Sequence, residues 1–414
     1  MTTIDESTRN GLAAPAPPAL RRVLGTPLLV FYGLGVIIGA GIYVLVGSVV
    51  GAAGAAAPWS FLLAGVLAGL TALSYAELAV RYPEAAGAAA YVKEAFGSDR
   101  LSQLVGLAVA AVVVTSTASI ARGGSGYFQA FAPWPDPLVT GGTVLLFAAI
   151  ACLGVRESVG FAAVLTLVEI GGLLFVIAAG WPALQLLPER IGELMPAAAP
   201  DLVGVAAGAF LAFFAFIGFE NLANMAEEAA TPERSLPRAI LISLGISTLL
   251  YVTVTAVAIL ALPLGELVAS PAPLLLVAAR VDWFSVELFA AVALVAVANG
   301  VLIELVMLAR LLYGMARRGW LPRGLAAVSR RRSVPVAATL WAGGVVLALT
   351  VALPFVSLVA VTSTITLLVF AIVNLALWQL QRRRPRATGF RVPRFIPPLA
   401  AIANVVLALA QFLA

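Results

Sequence analysis

The chain has 414 residues, of which 62% are hydrophobic and 11% are charged, and its mean hydropathy is +1.05. A soluble domain carries about 25% charged residues, so this composition excludes a water-soluble globule and indicates an all-α integral membrane protein. The net charge of +5 could suggest a nucleic-acid partner, but the positions of the basic residues explain it as a topology signal. There is no histidine and one cysteine, Cys152, which excludes a disulfide framework, Ser-His-Asp catalysis and a histidine proton relay.

The N-terminal segment 1–24 is rich in alanine, proline and polar residues and lacks the apolar core of a signal peptide. We expect it to be a cytoplasmic tail that precedes one transmembrane domain over residues 25–414. Eleven segments of that domain are apolar over about 20 residues, the length that crosses a bilayer. These segments are roughly 26–50, 57–80, 101–121, 138–155, 159–180, 202–225, 238–262, 284–309, 335–353, 357–379 and 395–413.

The basic residues test this count of spans. With a cytoplasmic N-terminus, all of the 25 Lys and Arg residues except Arg122, Arg190 and Arg280 fall in the tail or in the even-numbered loops. This distribution follows the positive-inside rule. It supports eleven spans, with arginine clusters that orient the protein and can also contact anionic lipid. The lack of a targeting segment and the 24 arginines against one lysine are compatible with a bacterial plasma membrane.

The first span is interrupted by glycines, in the sequence GVIIGAGIY from Gly35 to Tyr43. A broken helix in a membrane leaves backbone N–H and C=O groups that need a ligand, an ion or a wet cavity. Gly39 and Gly41 lack a Cβ, and the half-helix that follows presents free N–H groups that suit a carboxylate. The alternative is a stripe of small residues that packs against a neighbouring helix.

The sixth span is interrupted in the same way, in the sequence FFAFIGFEN from Phe213 to Asn221. Four phenylalanines surround Gly218, where they could face lipid or form a lid over a small ligand. Glu220 follows at the same depth. A carboxylate inside a span indicates function by default, although an acid near the cytoplasmic end could also extend into water.

The two breaks occupy corresponding positions in two halves of the chain, which is the best sequence indication of a transporter's central site. Repeat one covers about 26–180, repeat two about 202–380, and an extra helix about 395–413. Because each repeat has five spans, an odd number, the second repeat must run with inverted topology.

Two further acids lie inside spans: Glu169 in TLVEIGG of span five and Glu304 in NGVLIEL of span eight. Either could carry protons, and either could be a structural acid hydrogen-bonded across a helix interface. We expect no metal and no cofactor, with a proton as the coupling ion and sodium as the alternative.

Four motifs in chain order now resemble one family, the amino acid–polyamine–organocation superfamily of permeases, and within it the bacterial relatives of cationic amino acid transporters. They are GVIIGAGIY, YAELAVRYPEAAGAAAYV, FFAFIGFEN with the following EEAATPERSLPRAI, and NGVLIELVMLARLLYGMARRGWLP. The resemblance implies the LeuT-like fold, a 5+5 inverted repeat of ten core helices in which helices one and six are discontinuous.

The resemblance also implies how a substrate amino acid is held. Amides around Gly39, Ala40 and Gly41 would bind its α-carboxylate, and carbonyls of helices one and six would accept from its α-amine. Phe214 matches the family's aromatic gate, and Glu220 matches an acid implicated in proton-linked gating. The predicted substrate-binding residues are Ile38, Gly39, Ala40, Gly41, Phe214, Ala215, Phe216 and Ile217, and the predicted gating or coupling residues are Glu169, Glu220 and Glu304.

The chain departs from the family pattern at three places. Ala40 stands where many members have Ser or Thr, and alanines at 85, 86, 88 and 89 replace a glycine-rich loop. Glu169 is the only charge near the helix-five position where some members carry a lysine in place of a sodium ion. Span eight lacks the Ser or Thr pair of a familiar sodium site, which favours proton coupling or exchange.

The sequence therefore predicts a secondary active amino-acid permease that works by alternating access, with membrane lipid as its other partner. The apolar, phenylalanine-rich pocket favours a small or neutral amino acid. A carboxylate that reaches the pocket would instead favour a cationic amino acid or polyamine. The remaining alternatives are an exchanger and a sensor or scaffold that does not transport. An intramembrane enzyme would need paired aspartates or a serine–histidine pair within the spans, and a channel would need a continuous polar lining, and the spans show neither.

Overall fold

The computed structural model describes residues 24–82, 87–154, 159–329, 332, 334–383 and 389–412. Most of these residues are helical, and the described part contains no strand beyond one isolated parallel bridge between Leu24 and Ala229. The helices are α1 (Thr26–Ile38), α2 (Gly41–Ala53), α3 (Ala57–Arg81), α4 (Gly87–Phe96), α5 (Asp99–Phe128), α6 (Asp136–Leu153), α7 (Val159–Ala179), α8 (Trp181–Gln185), α9 (Leu187–Arg190), α10 (Ala199–Ala212), α11 (Pro232–Ala261), α12 (Leu264–Ala269), α13 (Pro273–Ala278), α14 (Val286–Arg317), α15 (Val336–Ala352), α16 (Phe355–Arg383) and α17 (Ile396–Ala410).

Each of the eleven predicted apolar segments coincides with helix, but the helices differ in length. Among the described residues, seven helical stretches are long and apolar enough to cross a membrane. Four shorter apolar helices accompany them: Thr26–Ile38, Ala163–Ala179, Val336–Ala352 and Ile396–Ala410. The all-helical membrane class is therefore confirmed, while the count of eleven spans stays a prediction. The predicted cytoplasmic tail, except for Leu24, lies outside the described residues.

The first predicted span is divided in the structure into two short helices, α1 and α2. α1 and α2 have 13 residues each, which is about 20 Å at 1.5 Å per residue. Neither reaches the roughly 30 Å of a bilayer core alone, whereas the two together exceed it. The break between them therefore lies in the interior of the bundle rather than at its edge.

The surface of the bundle is apolar. Leu138, Leu249 and Phe395 are each at least 65% exposed, and many other leucines, valines and tryptophans are also exposed. A soluble protein seldom exposes apolar side chains in such large contiguous areas. The exposed faces therefore suit contact with lipid tails.

Helix packing places the two broken segments side by side at the centre. α1 packs on α7 and α11, and α10 packs on α3 and α16. α5 packs along both α14 and α16, and α3 packs along α11. The centre is therefore enclosed by α3, α5, α11, α14 and α16, the helices that carry most polar side chains of the site.

The structure differs from the sequence prediction outside the spans, where α4, α8, α9, α12 and α13 are additional short helices, and at the start of α11. α4, Gly87–Phe96, is a ten-residue helix that packs on α16 and α5, in a stretch that the spans left as a loop. α11 begins at Pro232, six residues before the predicted span, because a proline at the first helical position costs no hydrogen bond. These residues lie outside the apolar spans, so the length of an apolar segment does not predict their helices.

Candidate functional site

The first break is a two-residue turn between two α-helices. α1 ends at Ile38 and α2 begins at Gly41, while Gly39 takes φ +20°. The last carbonyl groups of α1 and the first N–H groups of α2 lack partners within their own helices. The turn therefore presents both acceptors and donors inside the membrane domain.

The second break is longer and has a different helical form. After α10 ends at Ala212, two 3₁₀ segments follow, Phe213–Phe216 and Phe219–Glu227, separated by Ile217 and Gly218. Gly218 takes φ +125°, and a Cβ there would lie 2.7 Å from the carbonyl oxygen of Val36. Only glycine fits at this position, because both the conformation and the contact with α1 exclude a side chain.

The two breaks are in contact with each other. A Cβ built on Gly41 would lie 3.0 Å from the Cα of Ala215, so the backbones of α2 and the second break approach closely here. Together with the contact between Gly218 and Val36, this brings the unpaired backbone groups of both breaks to one place. The glycines at the breaks therefore let the two segments pack closely against each other.

Tyr251 of α11 joins the two breaks. Its buried hydroxyl lies 2.7 Å from the carbonyl oxygen of Ile37, 3.4 Å from that of Ile38 and 3.1 Å from that of Ala215. A tyrosine hydroxyl has one hydrogen, so it can donate to only one of these oxygens at a time. The carbonyl groups therefore keep capacity to accept from a further donor.

A cavity of about 200 Å³ opens beside the breaks. It is smaller than the pockets of about 300–1,000 Å³ that take drug-sized ligands, and so fits a small one. Its wall is mainly apolar, and neither Lys nor Arg is among its described lining residues. The polar side chains of the wall are Tyr75, Ser116, Glu220, Asn221, Asn299, Glu304 and Thr366.

Two carboxylates reach this wall. Glu220 Oε2 accepts from the N–H of Gly218 at 2.8 Å, so this carboxylate holds the second break directly. Glu304 of α14 accepts from the hydroxyls of Ser116 and Thr117 on α5, the second at 2.9 Å. Glu220 therefore stabilises the second break, and Glu304 links α14 to α5 in the cavity wall.

Glu169 of α7 lies behind the wall rather than in it. Its side chain is fully buried, and its Oε1 accepts from Asn299 Nδ2 at 3.1 Å. Its Oε2 has no hydrogen-bond partner among the described residues. Because Asn299 lines the cavity, one amide group separates Glu169 from the cavity.

Of the eight predicted substrate-binding residues, some line the cavity and others lie beside it. Six of them line the cavity: Gly39, Ala40, Gly41, Phe214, Ala215 and Ile217. Ile38 and Phe216 are buried beside the cavity but do not line it. The Phe216 ring packs on Tyr251 with ring centroids 5.1 Å apart, and the Ile38 carbonyl lies within reach of the same tyrosine.

Several polar residues of the site were not predicted. Tyr251 and Asn299 each had a usable signal, because a polar side chain inside an apolar span tends to face the bundle interior. Ser116 and Thr117 lie in the polar run TSTAS of α5, which the span count treated as plain membrane helix. The sequence does not show which of these side chains contact one another.

Comparison with known proteins identifies the family. The family described as amino acid permease matches residues 24–414. The chain belongs to the amino acid permease family. This is a family of membrane transporters, so the intramembrane-enzyme alternative is excluded.

Similar proteins cover most of this permease. A branched-chain amino acid permease of Bacillus subtilis is 29% identical, over 94% of this chain and 88% of its own. An uncharacterized transporter of Mycobacterium tuberculosis is 34% identical, over 95% and 87%. A vacuolar cationic amino acid transporter of Arabidopsis thaliana is 31% identical, over 92% of this chain but 61% of its own length.

Proposed function

We propose that this permease is a secondary active amino-acid transporter that works by alternating access, with its substrate bound in the cavity at the two breaks. The observation that carries the proposal is the contact between the breaks, where Gly218 meets Val36 and Gly41 meets Ala215 beside a cavity of small-ligand size. Unpaired backbone groups inside a membrane domain require a partner. An amino acid supplies an acceptor for the N–H groups, its carboxylate, and a donor for the carbonyl groups, its ammonium.

The backbone groups divide between the two ends of such a substrate. The N–H groups at the start of α2, around Gly39 to Gly41, suit the carboxylate, because a helix N-terminus favours negative charge. The carbonyl groups of Ile38 and Ala215 suit the ammonium, since they share one hydroxyl hydrogen of Tyr251. Phe214 lines the same cavity and would cover the substrate.

Helix contacts support the 5+5 inverted repeat over about 26–180 and 202–380. The contact of α1 with α11 is matched by that of α10 with α3, and the contact of α1 with α7 by that of α10 with α16. In each pair of contacts, every helix of one repeat is replaced by the helix five spans later or earlier, as two repeats related by a two-fold axis require. We place α17 as the extra helix, the N-terminus in the cytoplasm and the protein in the plasma membrane.

In this topology the cavity extends from the breaks towards the cytoplasmic side. Beyond the breaks its wall continues along α3, α5, α14 and α16 through Tyr75, Val109, Met307 and Phe370. Tyr75, Val109 and Met307 lie in the halves of α3, α5 and α14 that are nearer Arg81, Arg100 and Arg317, ends that the positive-inside rule assigns to the cytoplasm. The structure would then represent an inward-facing state.

A proton is the coupling ion that we propose, with sodium as the alternative. Glu169 combines complete burial with an unpartnered carboxylate oxygen, and a charged carboxylate left unpaired there would cost several kcal/mol. A bound proton or a cation removes this cost. Asn299 links Glu169 to the cavity, which gives substrate binding a route to influence that site.

The class of substrate side chain has two candidates. The apolar wall around Phe214 and Ile303 favours a small or neutral amino acid. The two carboxylates on the wall, Glu220 and Glu304, with no described basic residue beside them, favour a cationic one. Because Glu304 already accepts two hydroxyl hydrogens and Glu220 one N–H, we retain the neutral preference and the cationic amino acid as the second candidate.

Uptake into proteoliposomes tests the proposal. We expect one of alanine, leucine, lysine and arginine to accumulate, and an inward proton gradient to raise its rate. Glu169→Gln should abolish the stimulation while binding survives, and Glu189→Gln, an exposed acid, should match the wild type. Uptake that ignores the gradient would indicate exchange or facilitation, and no uptake or binding of any amino acid would indicate a sensor or scaffold.

A further inference from the structure

A second cavity, of about 430 Å³, lies on the other side of the breaks. Its wall includes residues of α2, of the last turns of α5, of the first residues of α6 and α16, and of the end of α12 and the segment after it. In the proposed topology all of these lie at the extracellular face. The cavity is therefore the outer counterpart of the inner cavity at the breaks.

Only a thin layer separates the two cavities. On α2, Gly41 lines the inner cavity and Val44 the outer one; on α5, Ile120 lines the inner cavity and Gly123 the outer one. Three residues of helix rise about 4.5 Å. The layer is closed where Val44 packs against Gly123, since a Cβ on that glycine would lie 2.6 Å from Val44 Cβ.

Arg122 of α5 projects into the outer cavity and has no carboxylate partner among the described residues. Its Nη1 donates to the carbonyl oxygen of Thr350 at 2.6 Å, and its remaining N–H groups have no described acceptor. It is one of the three basic residues that break the positive-inside pattern. A charged residue within a membrane helix that faces a cavity indicates a functional site by default.

Asp136, at the start of α6, lines the same cavity but forms no ion pair with Arg122. Its Oδ1 accepts from Gln129 Nε2 at 2.9 Å, which leaves the other carboxylate oxygen available. The cavity thus presents one positive and one negative group that do not neutralise each other. A zwitterion is the ligand that matches both.

We propose that this outer cavity is an entry site for zwitterionic amino acids, with Arg122 bound to the α-carboxylate and Asp136 near the α-ammonium. The guanidinium group is suited to this role, because its N–H groups match the two oxygens of a carboxylate. The site holds the substrate one helical turn from the cavity at the breaks, before the layer at Val44 and Gly123 opens. This inference rests on the proposed transport function.

The structural alternative is that Arg122 only caps α15. Thr350 lies in the last turn of α15, where carbonyl groups lack helical partners, so a donor there stabilises the helix end. A cap would affect folding but not the charge that an incoming substrate meets. The two roles therefore differ in which kinetic constant a substitution changes.

Influx kinetics in sided proteoliposomes test the entry site. We expect Arg122→Gln to raise the outer-face KM about tenfold, the loss of one charge-assisted hydrogen bond, while the inner-face KM stays unchanged. Arg122→Lys should recover most of the difference, and Asp136→Asn should raise the outer KM less. Arg280→Gln, an exposed basic residue on the same face, is the matched control and should match the wild type.

A chemical rescue separates charge from folding. In a Cys152→Ser background, which removes the only native thiol, Arg122→Cys should show the raised outer KM. A membrane-impermeant cationic thiosulfonate added outside should restore it, whereas a neutral reagent of similar size should not. Unchanged outer KM in Arg122→Gln, or rescue by neither reagent, would overturn the entry site and leave the helix cap. Absence of transport in the wild type would instead refute the transport function.

Discussion

The two breaks differ in length, helical form and charge. The first is a two-residue turn between α-helices, at Gly39 and Ala40, and it contains no acid. The second consists of two 3₁₀ segments between Phe213 and Glu227, and its Glu220 accepts from the N–H of Gly218. Long 3₁₀ stretches have poorer hydrogen-bond geometry and often mark hinges. The first break is thus suited to be a fixed cradle, and the second to be the part that moves.

The difference also extends to what surrounds each glycine. A Cβ on Gly39 would meet nothing within 4 Å, whereas one on Gly218 would meet the Val36 carbonyl oxygen at 2.7 Å. The first turn opens to the cavity, and the second is packed on its neighbour. Substitutions at the two glycines can therefore separate ligand binding from the fit between the breaks.

The largest effect is expected at Gly218. Gly218→Ala should abolish transport and lower the thermal stability, because the added Cβ meets backbone at a φ of +125°. Gly39→Ala should retain the fold and raise KM about tenfold, since an L-residue strained by about 1–2 kcal/mol still has space. Uptake and thermal unfolding of both variants check this.

Gly245→Ala on α11 is the control for this pair. It is a helical glycine where a Cβ would meet nothing within 4 Å, so uptake and stability should match the wild type. If Gly39→Ala proved as damaging as Gly218→Ala, both breaks would be equally constrained. The distinction between a cradle and a moving part would then be wrong.

An intermediate effect is expected at Glu220. Glu220→Gln keeps an oxygen that can accept from Gly218 but removes the charge, so substrate binding should change less than threefold. Gradient-driven uptake should fall by about ten- to hundredfold, the equivalent of 1.5–3 kcal/mol for a hydrogen bond to a charged group. Parallel binding and uptake assays measure the two effects.

Glu228→Gln supplies the comparison, as an acid at the end of the same segment that lies outside the cavity wall. It should leave both assays unchanged. Equal loss of binding and uptake in Glu220→Gln would show that the acid holds substrate rather than moving the break. That result would favour the cationic-substrate candidate.

The smallest effect is expected at Tyr251, which touches both breaks. Tyr251→Phe removes a hydroxyl worth about 0.5–1.5 kcal/mol and should raise KM between two- and tenfold. Its ring contacts with Phe61 and Phe216 remain, so the fold should persist. Thermal unfolding and KM are the measurements. A larger loss than that of Gly39→Ala would make Tyr251 part of the substrate site itself.

The sequence predicted the positions of the helices well, because apolar length and glycine interruption are local properties. The sequence placed the first break correctly between residues 38 and 41, and the second correctly around Gly218. It did not predict α4, since a short amphipathic helix of alanines has no membrane-span signal. It also could not show that α1 and α2 are each too short to cross a bilayer alone.

The site was harder to predict, because it depends on which side chains meet across helices. That Glu169 lies behind Asn299 rather than in the wall follows from the packing of α7 on α14. Phe216 packs on Tyr251, away from the cavity, because the segment is a 3₁₀ helix, whose side chains point in different directions from those of an α-helix. Neither is contained in the spacing of residues along one helix.

Displacement of a bound radiolabelled amino acid by its own analogues tests most directly whether the two breaks hold the substrate backbone. The binding groups proposed here are N–H donors at the start of α2 and carbonyl acceptors at Ile38 and Ala215. We therefore predict that the amide analogue and the des-amino acid analogue each compete at least about 100-fold more weakly, since each leaves buried groups unpaired. Competition by either analogue as strong as that of the parent amino acid would contradict substrate binding at the breaks.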